Sequence, residues 1–287
     1  MAGNRQWRVC VLSLSLIAAS AFLAYRLSGH SDPYDHLFVE FSGDLGTYTG
    51  PERVNGLPGE LLWRANKGRM VTDDEGKFVF PETVKRVWID VGANMLQKTR
   101  AELFTSESLG VIAVEPLPDC WNSWPDVDRL VAIPLALDEN EGTAIFHVAS
   151  NNLWSSLSES LPGRYESESR TVREFPVEVL RLERIMQMIP EHLPIELLKV
   201  DVQGKDLEVL KSAGNHLRRV QLLDVEVVID AIYEGDGGDS IAPKERFDSY
   251  LARYGFVSTN TIGYAVFGEK TYLDVTYQNK TGAAMAQ

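Results

Sequence analysis

Five acidic residues stand near the ends of predicted strands, and their positions decide what chemistry the chain could do. They are Asp90, Glu115, Asp138, Asp201 and Glu226. Ligands of parallel α/β sheets bind at the carboxyl ends of the strands, so we expect these side chains to face one crevice. Carboxylates in such a crevice can accept hydrogen bonds from ligand hydroxyl groups, or take a proton from a nucleophile.

The turn after the first of these strands, "DVGAN", has the composition of a ligand-binding loop. Gly92 permits a tight turn and a close approach to a ligand, and Asn94 tolerates unusual backbone angles and can cap the next helix. The N–H groups at that helix N-terminus would suit an anionic group. The full G-x-G-x-x-G fingerprint is absent, and Leu96 stands where the second glycine usual in such turns would be. An ordinary strand-to-helix turn is the alternative.

Glu115 strengthens the ligand interpretation because it follows the glycine loop at a useful distance. An acid about 20 residues after such a loop can accept hydrogen bonds from ribose hydroxyls. The pair predicts an adenosine-containing ligand, either a nicotinamide dinucleotide or S-adenosylmethionine. Asp138 could reach the base of the same ligand or be a plain turn acid. Asp201 could contact substrate, accept a proton or cap a helix.

The elements that would position these residues alternate between strands and helices from Arg86 onward. Mostly apolar strands that alternate with helices predict a doubly wound, mostly parallel α/β sheet covered on both faces. The predicted strands are "RVWID", "VIAVEP", "LVAIPLAL", "GTAIFHVA", "IELLKVDV" and "VQLLDVEVV", with a closing pair "AVFGE" and "YLDVTYQN". The predicted helices are "KTRAELFTS", the end of "VEVLRLERIMQMI", "KDLEVLKSAG" ending on Gly214, and "KERFDSYLARYG" ending on Gly255.

The N-terminus carries an apolar helix pattern. Residues 9–25 hold no charge, with Arg5 and Arg8 before them and Arg26 after them. This predicts a single-pass signal anchor in a membrane. A cleaved signal peptide, giving a secreted or lumenal protein, is the alternative, because Ala19-Ser20-Ala21 fits a cleavage site. The expected domains are an anchor or signal at 1–26, a stem at 27–84, the main domain at 85–277 and a tail at 278–287.

Composition excludes several classes of protein. The net charge is −13, which makes DNA or RNA a poor partner because phosphate binding needs a basic surface. The two cysteines, Cys10 and Cys120, exclude a disulfide scaffold and a four-cysteine zinc site. The five histidines show no metal-ligand spacing, so we expect no metal site. The oligomeric state stays open.

The order of these motifs resembles the FkbM-type methyltransferases, a branch of the class I S-adenosylmethionine-dependent enzymes. The resemblance covers about residues 85–277. The segments that carry it are "DVGANMLQKT", "VIAVEPLP", "IPLALDENEGTAIFHV", Ser155-Ser156-Leu157, "LLKVDVQGKDLEVLKSAG", "DVEVVIDAIYEGDGG" and Gly255-Phe256.

That resemblance implies a Rossmann-like fold and S-adenosylmethionine as cofactor. It also implies O-methylation of a sugar or small-molecule hydroxyl, so the expected partner is a glycan or small-molecule acceptor. The expected cofactor-binding residues are Asp90, Gly92, Asn94, Glu115 and Asp138. The residues expected beside the acceptor, where a catalytic acid would act, are Asp201 and Glu226.

Two departures from the family pattern leave other functions open. Leu96 replaces a glycine, and Gln203 stands where the family often has an acid, with Asp206 keeping the later acid. These support a catalytically inactive methyltransferase-fold binding or scaffold protein at a membrane. A lumenal glycosyltransferase is a third possibility, and Asp126-Val127-Asp128 has the matching D-x-D spacing, although in a predicted loop. A nicotinamide-dependent enzyme is disfavoured by the incomplete glycine fingerprint.

Overall fold

A computed structural model of the chain describes residues 45, 47–163, 165–234, 242–266 and 269–281. The predicted apolar helix within 1–26, the first part of the stem and the end of the tail lie outside the described residues. Among the helices of the described part, none is long and apolar enough to cross a membrane.

The described residues form twelve strands, arranged in three sheets, and seven α-helices. The strands are β1 (Arg53–Val54), β2 (Leu57–Pro58), β3 (Arg86–Val91), β4 (Leu109–Val114), β5 (Leu130–Ile133), β6 (Ala136–Leu137), β7 (Gly142–Ala149), β8 (Thr171–Leu180), β9 (Ile195–Val200), β10 (Val220–Val228), β11 (Phe256–Val266) and β12 (Glu269–Asn279). The α-helices are Gly59–Ala65, Arg100–Thr105, Pro118–Ser123, Glu166–Ser169, Leu182–Met188, Asp206–Ser212 and Pro243–Leu251.

The main sheet has seven strands in the order β11-β12-β10-β9-β3-β4-β5. Strands β10, β9, β3, β4 and β5 are parallel, and β12 is antiparallel to both β10 and β11. The chain winds outward from β3 through β4 to β5, then returns to the other side of β3 with β9 and β10. The strand order therefore reverses between β3 and β9, and a crevice at the carboxyl ends of these two strands is the expected ligand site of such a sheet.

Apolar side chains pack on both faces of the parallel strands, which confirms the predicted doubly wound α/β class. All six residues of β4 are buried. On one face, Val87 and Ile89 belong to the same core cluster as Ile185 of the helix Leu182–Met188. On the other face, Val111 belongs to a second cluster with Leu103 of the helix Arg100–Thr105. Each such buried aliphatic side chain contributes about 1.5–3 kcal/mol to folding.

Two boundaries differ from the sequence prediction. The predicted strand "LVAIPLAL" is two strands in different sheets, β5 and β6, with Pro134 between them, because proline has no N–H to continue a ladder. Strand β6 pairs with β8, which pairs with β7, in a separate three-stranded sheet. The helix predicted to end on Gly214 ends at Ser212, and Gly214 begins a 3-10 segment. Gly255 does terminate its helical segment, in a left-handed conformation.

The predicted stem belongs in part to the folded domain. Val54, Leu57 and Leu62 lie in the main core cluster, so the boundary drawn at residue 85 falls inside one packed unit. Asn66 also covers the sheet edge: its amide Nδ2 donates to Ala132 O at 2.8 Å, and its Oδ1 accepts from Ala132 N at 2.9 Å. This amide pairs with the edge strand β5 as a further strand would.

Candidate functional site

Asp90 anchors the glycine loop from below. Its side chain is fully buried, and its Oδ2 accepts a hydrogen bond from Thr99 Oγ1 at 3.0 Å. Its Oδ1 lies 3.2 Å from the ammonium of Lys199, which is its register partner on β9. The structure thus places Asp90 beneath the loop, where it holds both ends of the turn.

The loop at Gly92 packs directly against the loop that follows β9. Gly92 has a φ of +70°, and a Cβ atom at this position would lie 1.8 Å from Asp201 O. The N–H of Asp201 in turn donates to Val91 O at 3.1 Å. Gly92 thus permits a close approach of the neighbouring loop's backbone, and the predicted close approach to a ligand stays a prediction.

Leu96 turns away from the crevice. It is fully buried in the cluster with Leu103, Val111 and Trp124, so its side chain does not narrow the space above the loop. Its φ is +60°, the left-handed conformation that a glycine adopts without strain. The loop therefore keeps a glycine-type backbone path, and the leucine side chain adds to the core beneath it.

This geometry reverses the usual ranking of small replacements at Leu96. We expect Leu96→Ala to lower the free energy of unfolding by about 2–5 kcal/mol through lost burial. We expect Leu96→Gly to be more stable than Leu96→Ala by about 1 kcal/mol, because glycine adopts positive φ without the Cβ penalty. Urea unfolding of the two variants measures the difference. Leu103→Ala and Leu103→Gly, in the helix Arg100–Thr105, are the matched pair in which alanine should be the more stable. A Leu96→Ala that exceeds Leu96→Gly in stability would contradict the left-handed assignment.

The helix after the loop begins later than the sequence suggested. Thr99 is the residue before its first turn, and it makes no side-chain cap hydrogen bond. The N–H groups of Thr99 and Arg100 both donate to Leu96 O, at 3.2 and 2.8 Å. The prediction that Asn94 caps this helix is therefore wrong, because a tight turn separates Asn94 from the helix. Binding of an anionic group by the N–H groups at the helix N-terminus stays a prediction.

Glu115 closes the glycine loop from the β4 side. Its Oε2 accepts from the N–H of Asn94 and its Oε1 from the N–H of Leu117, both at 2.9 Å. Asn94 has a φ of +42°, and its carbonyl accepts from Trp124 Nε1 at 2.7 Å. Burial raises the pKa of Glu115 to about 7, and the two N–H donors oppose that rise. Each carboxylate oxygen keeps a lone pair, so ribose hydroxyls could still donate to it.

Asp138 has contact partners different from those of Glu115. Its carboxylate is 3.6 Å from Lys205 Nζ, and the N–H of Glu139 donates to its Oδ1 at 2.6 Å. The split of the predicted third strand is the reason, since Asp138 follows β6, which belongs to the three-stranded sheet. A role toward the base of a ligand stays a prediction for this residue.

Lys199 joins the loops after β3 and β9, and it was not singled out from the sequence. Its Nζ lies 3.2 Å from Asp90 Oδ1 and 3.3 Å from Asp201 Oδ2, and donates to Gly92 O at 2.7 Å. Burial alone would lower the pKa of Lys199, but the carboxylates of Asp201 and Asp90 outweigh burial and raise it. A lysine inside the apolar segment "IELLKVDV" was the signal, because a buried ammonium needs charged partners.

The acceptor-side acids are joined by Gln203. Its Nε2 donates to Asp201 Oδ1 at 2.8 Å and to Glu226 Oε2 at 2.6 Å. Glu226 lies inside β10, opposite Asp274 on β12. Burial and the nearby carboxylates of Asp201, Asp206 and Asp274 raise the pKa of Glu226 well above its ordinary value. The structure therefore brings together both predicted catalytic acids, as the sequence expected.

The segment around Ser155-Ser156-Leu157 supports the same loop. Ser156 Oγ donates to Gln203 O at 2.7 Å, and Tyr233 OH lies 3.1 Å from Trp154 O and 3.0 Å from Gln203 Oε1. Asp206 accepts from the N–H groups of Val202 and Gly204, at 3.0 and 3.2 Å. Among the described residues, no group of three or more histidine, cysteine or acidic side chains is arranged to hold a metal ion.

Comparison with known proteins agrees with the motif order. The methyltransferase FkbM domain family matches residues 90–257, which is more than half of the 287 residues. No curated protein matches the chain.

Several solved methyltransferase structures are distantly similar. The 16S rRNA (adenine(1408)-N(1))-methyltransferase from Catenulisporales acidiphilia is 10% identical with a TM-score of 0.37, covering 82% of this chain and 97% of that one. The precorrin-6y C5,15-methyltransferase from Geobacter metallireducens is 10% identical with a TM-score of 0.35, covering 68% and 81%. The 1,6-didemethyltoxoflavin-N1-methyltransferase from Burkholderia thailandensis is 12% identical with a TM-score of 0.31, covering 97% and 94%. These TM-scores are low, so the family assignment rests on the matched domain.

Proposed function

The chain belongs to the methyltransferase FkbM domain family, and from that premise we propose that it transfers a methyl group from S-adenosylmethionine to a hydroxyl oxygen of a sugar or small molecule. The observation that carries this proposal is the pairing of two polar loops at the point where the strand order reverses. The loop after β3 holds Gly92 and Asn94 and is closed by Glu115 from the end of β4. The loop after β9 holds Asp201, with Glu226 of β10 beside it.

The residues of the first loop fit the cofactor of the family. Glu115 keeps acceptor capacity toward ribose hydroxyls, and Leu96 is packed beneath the loop and leaves the space above it clear. Asp90 is too deeply buried to contact a ligand and would act by holding the loop. When bound, S-adenosylmethionine supplies a methyl group on a positively charged sulfur, which makes the rest of the molecule a good leaving group.

The two acids on the acceptor side, Asp201 and Glu226, have different roles in this proposal. Asp201 is engaged at both oxygens, by Gln203 and by Lys199, so it orients its neighbours. Glu226 is held at Oε2 by Gln203, and its Oε1 has no hydrogen-bond partner among the described residues. Glu226 Oε1 would take the hydroxyl proton of the acceptor as the new O–C bond forms and the S–C bond breaks.

A scaffold protein with this fold is the competing proposal. Leu96 was the main sequence argument for it, because a leucine could have narrowed the cofactor space. That argument loses its force, since the Leu96 side chain lies in the core. The family resemblance supports the proposal of an O-methyl acceptor, and a screen of sugar and small-molecule hydroxyls tests it.

Binding of S-adenosylhomocysteine to the full-length chain tests the cofactor proposal. We expect micromolar binding by calorimetry, and a loss of at least about tenfold in Glu115→Gln, because its NH₂ group would face the N–H of Asn94 or Leu117. Glu139→Gln, on a partly exposed side chain that follows β6, should bind as the wild type does. NAD is the ligand control.

Two outcomes would count against this assignment. Equal affinity of wild type and Glu115→Gln would place the ribose elsewhere. Failure of the wild type to bind S-adenosylhomocysteine would favour the scaffold protein.

We also propose that the N-terminal apolar run anchors the chain in a membrane with a single pass. The support is its sequence alone, namely residues 9–25 without charge between flanking arginines. Alkaline carbonate extraction of the full-length chain tests it. An anchored chain stays with the membrane pellet, whereas a chain with a cleaved signal peptide is released and lacks its first residues by mass spectrometry.

A further inference from the structure

Gln203 is held in a conformation that its residue type does not favour. Its φ is +59°, and the residue is 8% exposed. A residue other than glycine keeps this conformation only when its surroundings determine it. Here the determinants are four hydrogen-bond contacts: Nε2 donates to Asp201 and Glu226, Oε1 accepts from Tyr233, and the backbone carbonyl accepts from Ser156.

The orientation of the amide follows from these contacts. The NH₂ group is the end that faces Asp201 and Glu226, because both carboxylates accept hydrogen bonds. Tyr233 OH lies 3.0 Å from Oε1 and 3.1 Å from Trp154 O, and these two acceptors share its single proton. Both amide protons are used, one on each acid, and both acids act as acceptors. An amide is the only side-chain group of this size that can donate to two carboxylates and accept from a phenol at once.

An acid at this position would create a different charge balance. A glutamate would place a third carboxyl group 2.6–2.8 Å from Asp201 and Glu226. Like charges at that separation cannot all ionise, so at least one of the three would keep its proton. The groups that face Glu226 from the surrounding elements are Asp201, Asp206, Asp274 and Lys199, with the hydroxyls of Tyr233 and Tyr272 nearby.

We infer that Gln203 is the positioning residue of the acceptor side: its amide holds Asp201 and Glu226 as hydrogen-bond acceptors and so leaves Glu226 Oε1 to take the proton of the acceptor hydroxyl. The role of that oxygen rests on the proposed function. The arrangement of the three side chains does not, and it can be tested without an acceptor.

The first test compares the unfolding temperatures of full-length wild type, Gln203→Glu and Gln203→Met between about pH 5 and pH 8. In Gln203→Glu the folded-state pKa of the new acid lies above its unfolded value. The contribution of this acid to the stability of the folded variant is therefore fully present only at low pH and is lost as pH rises. We expect Gln203→Glu to be more stable than Gln203→Met near pH 5, where its protonated carboxyl can donate. Near pH 8 we expect it to be less stable, with an unfolding temperature that falls by about 5 °C or more relative to wild type.

A pair of tyrosine variants tests the orientation of the amide. Tyr233→Phe removes the donor that fixes Gln203 Oε1, so we expect a lower unfolding temperature. Tyr272→Phe removes a buried hydroxyl that has no hydrogen-bond partner in the described part of the chain, and should leave the unfolding temperature unchanged or raise it. For the pH comparison of the first test, unfolding temperatures of Gln203→Glu that equal those of the wild type at every pH would overturn the inference.

The second test uses the pH profile of methyl transfer, with an acceptor found by the screen. We expect the rising limb of the Gln203→Glu profile to move up by about one pH unit, with S-adenosylhomocysteine affinity unchanged. A wild-type profile in this variant would overturn the positioning role while the proposed function stands. A wild type that binds no S-adenosylhomocysteine would overturn the proposed function. The unfolding temperatures of Gln203→Glu and Gln203→Met, compared between about pH 5 and pH 8, would still test the contacts of Gln203.

Discussion

Gly92→Ala is expected to lower the free energy of unfolding by about 2–5 kcal/mol and to abolish S-adenosylhomocysteine binding. The added Cβ would lie 1.8 Å from Asp201 O, which is far inside van der Waals contact. The left-handed φ of Gly92 costs an alanine about 1–2 kcal/mol, and separating the two loops adds an overpacking cost of about 1–3 kcal/mol. Thermal and urea unfolding, followed by calorimetry, measure both effects.

Gly142→Ala is the matched control for this substitution. Gly142 also has a positive φ, of +146°, but nothing lies within 4 Å of an added Cβ. The control therefore carries a backbone penalty and no collision. If both variants lose the same stability, the close contact between the two loops is wrong. If Gly92→Ala accumulates only as insoluble chain while Gly142→Ala is soluble, the collision is supported.

Lys199→Met is expected to cost about 3–5 kcal/mol, because it leaves the carboxylates of Asp90 and Asp201 without their shared cation. Asp90 is fully buried, so water cannot replace the lost ammonium. We expect S-adenosylhomocysteine affinity to fall as well, since Lys199 also donates to Gly92 O. Urea unfolding at several pH values measures the stability change.

The pH dependence of this loss has a definite sign. In the wild type, the raised pKa of Lys199 means that its stabilisation is fully present below the unfolded lysine pKa and is lost only in strong alkali. Lys199→Met leaves excess negative charge in a buried site, so we expect its deficit in the free energy of unfolding to be smaller in acid than at neutral pH.

Lys211→Met provides the comparison for a lysine at the surface. Lys211 is partly exposed and lies 3.5 Å from Glu208 and 3.8 Å from Glu139. Pairs of this kind contribute about 0–1 kcal/mol. A Lys199→Met variant with a loss as small as that of Lys211→Met would show that Lys199 does not hold the two loops together.

The sequence determined the class of fold and most of the elements. Strands such as β7 and β10 coincide with the segments predicted from hydrophobic patterning, because the buried positions along each strand are apolar. The motif order also predicted the family. The positions of Asp90, Glu115, Asp201 and Glu226 near strand ends predicted that they lie at one edge of the sheet. These are properties of local pattern and chain order, which a sequence states directly.

Only the tertiary structure decided what those residues touch. Lys199 looked like one polar residue in an apolar strand, and its partners come from two loops that are distant in sequence. Leu96 and Gln203 looked like signs of lost function, yet one packs in the core and the other joins two acids. Which way a side chain points from a left-handed backbone depends on long-range packing, and no local pattern records it.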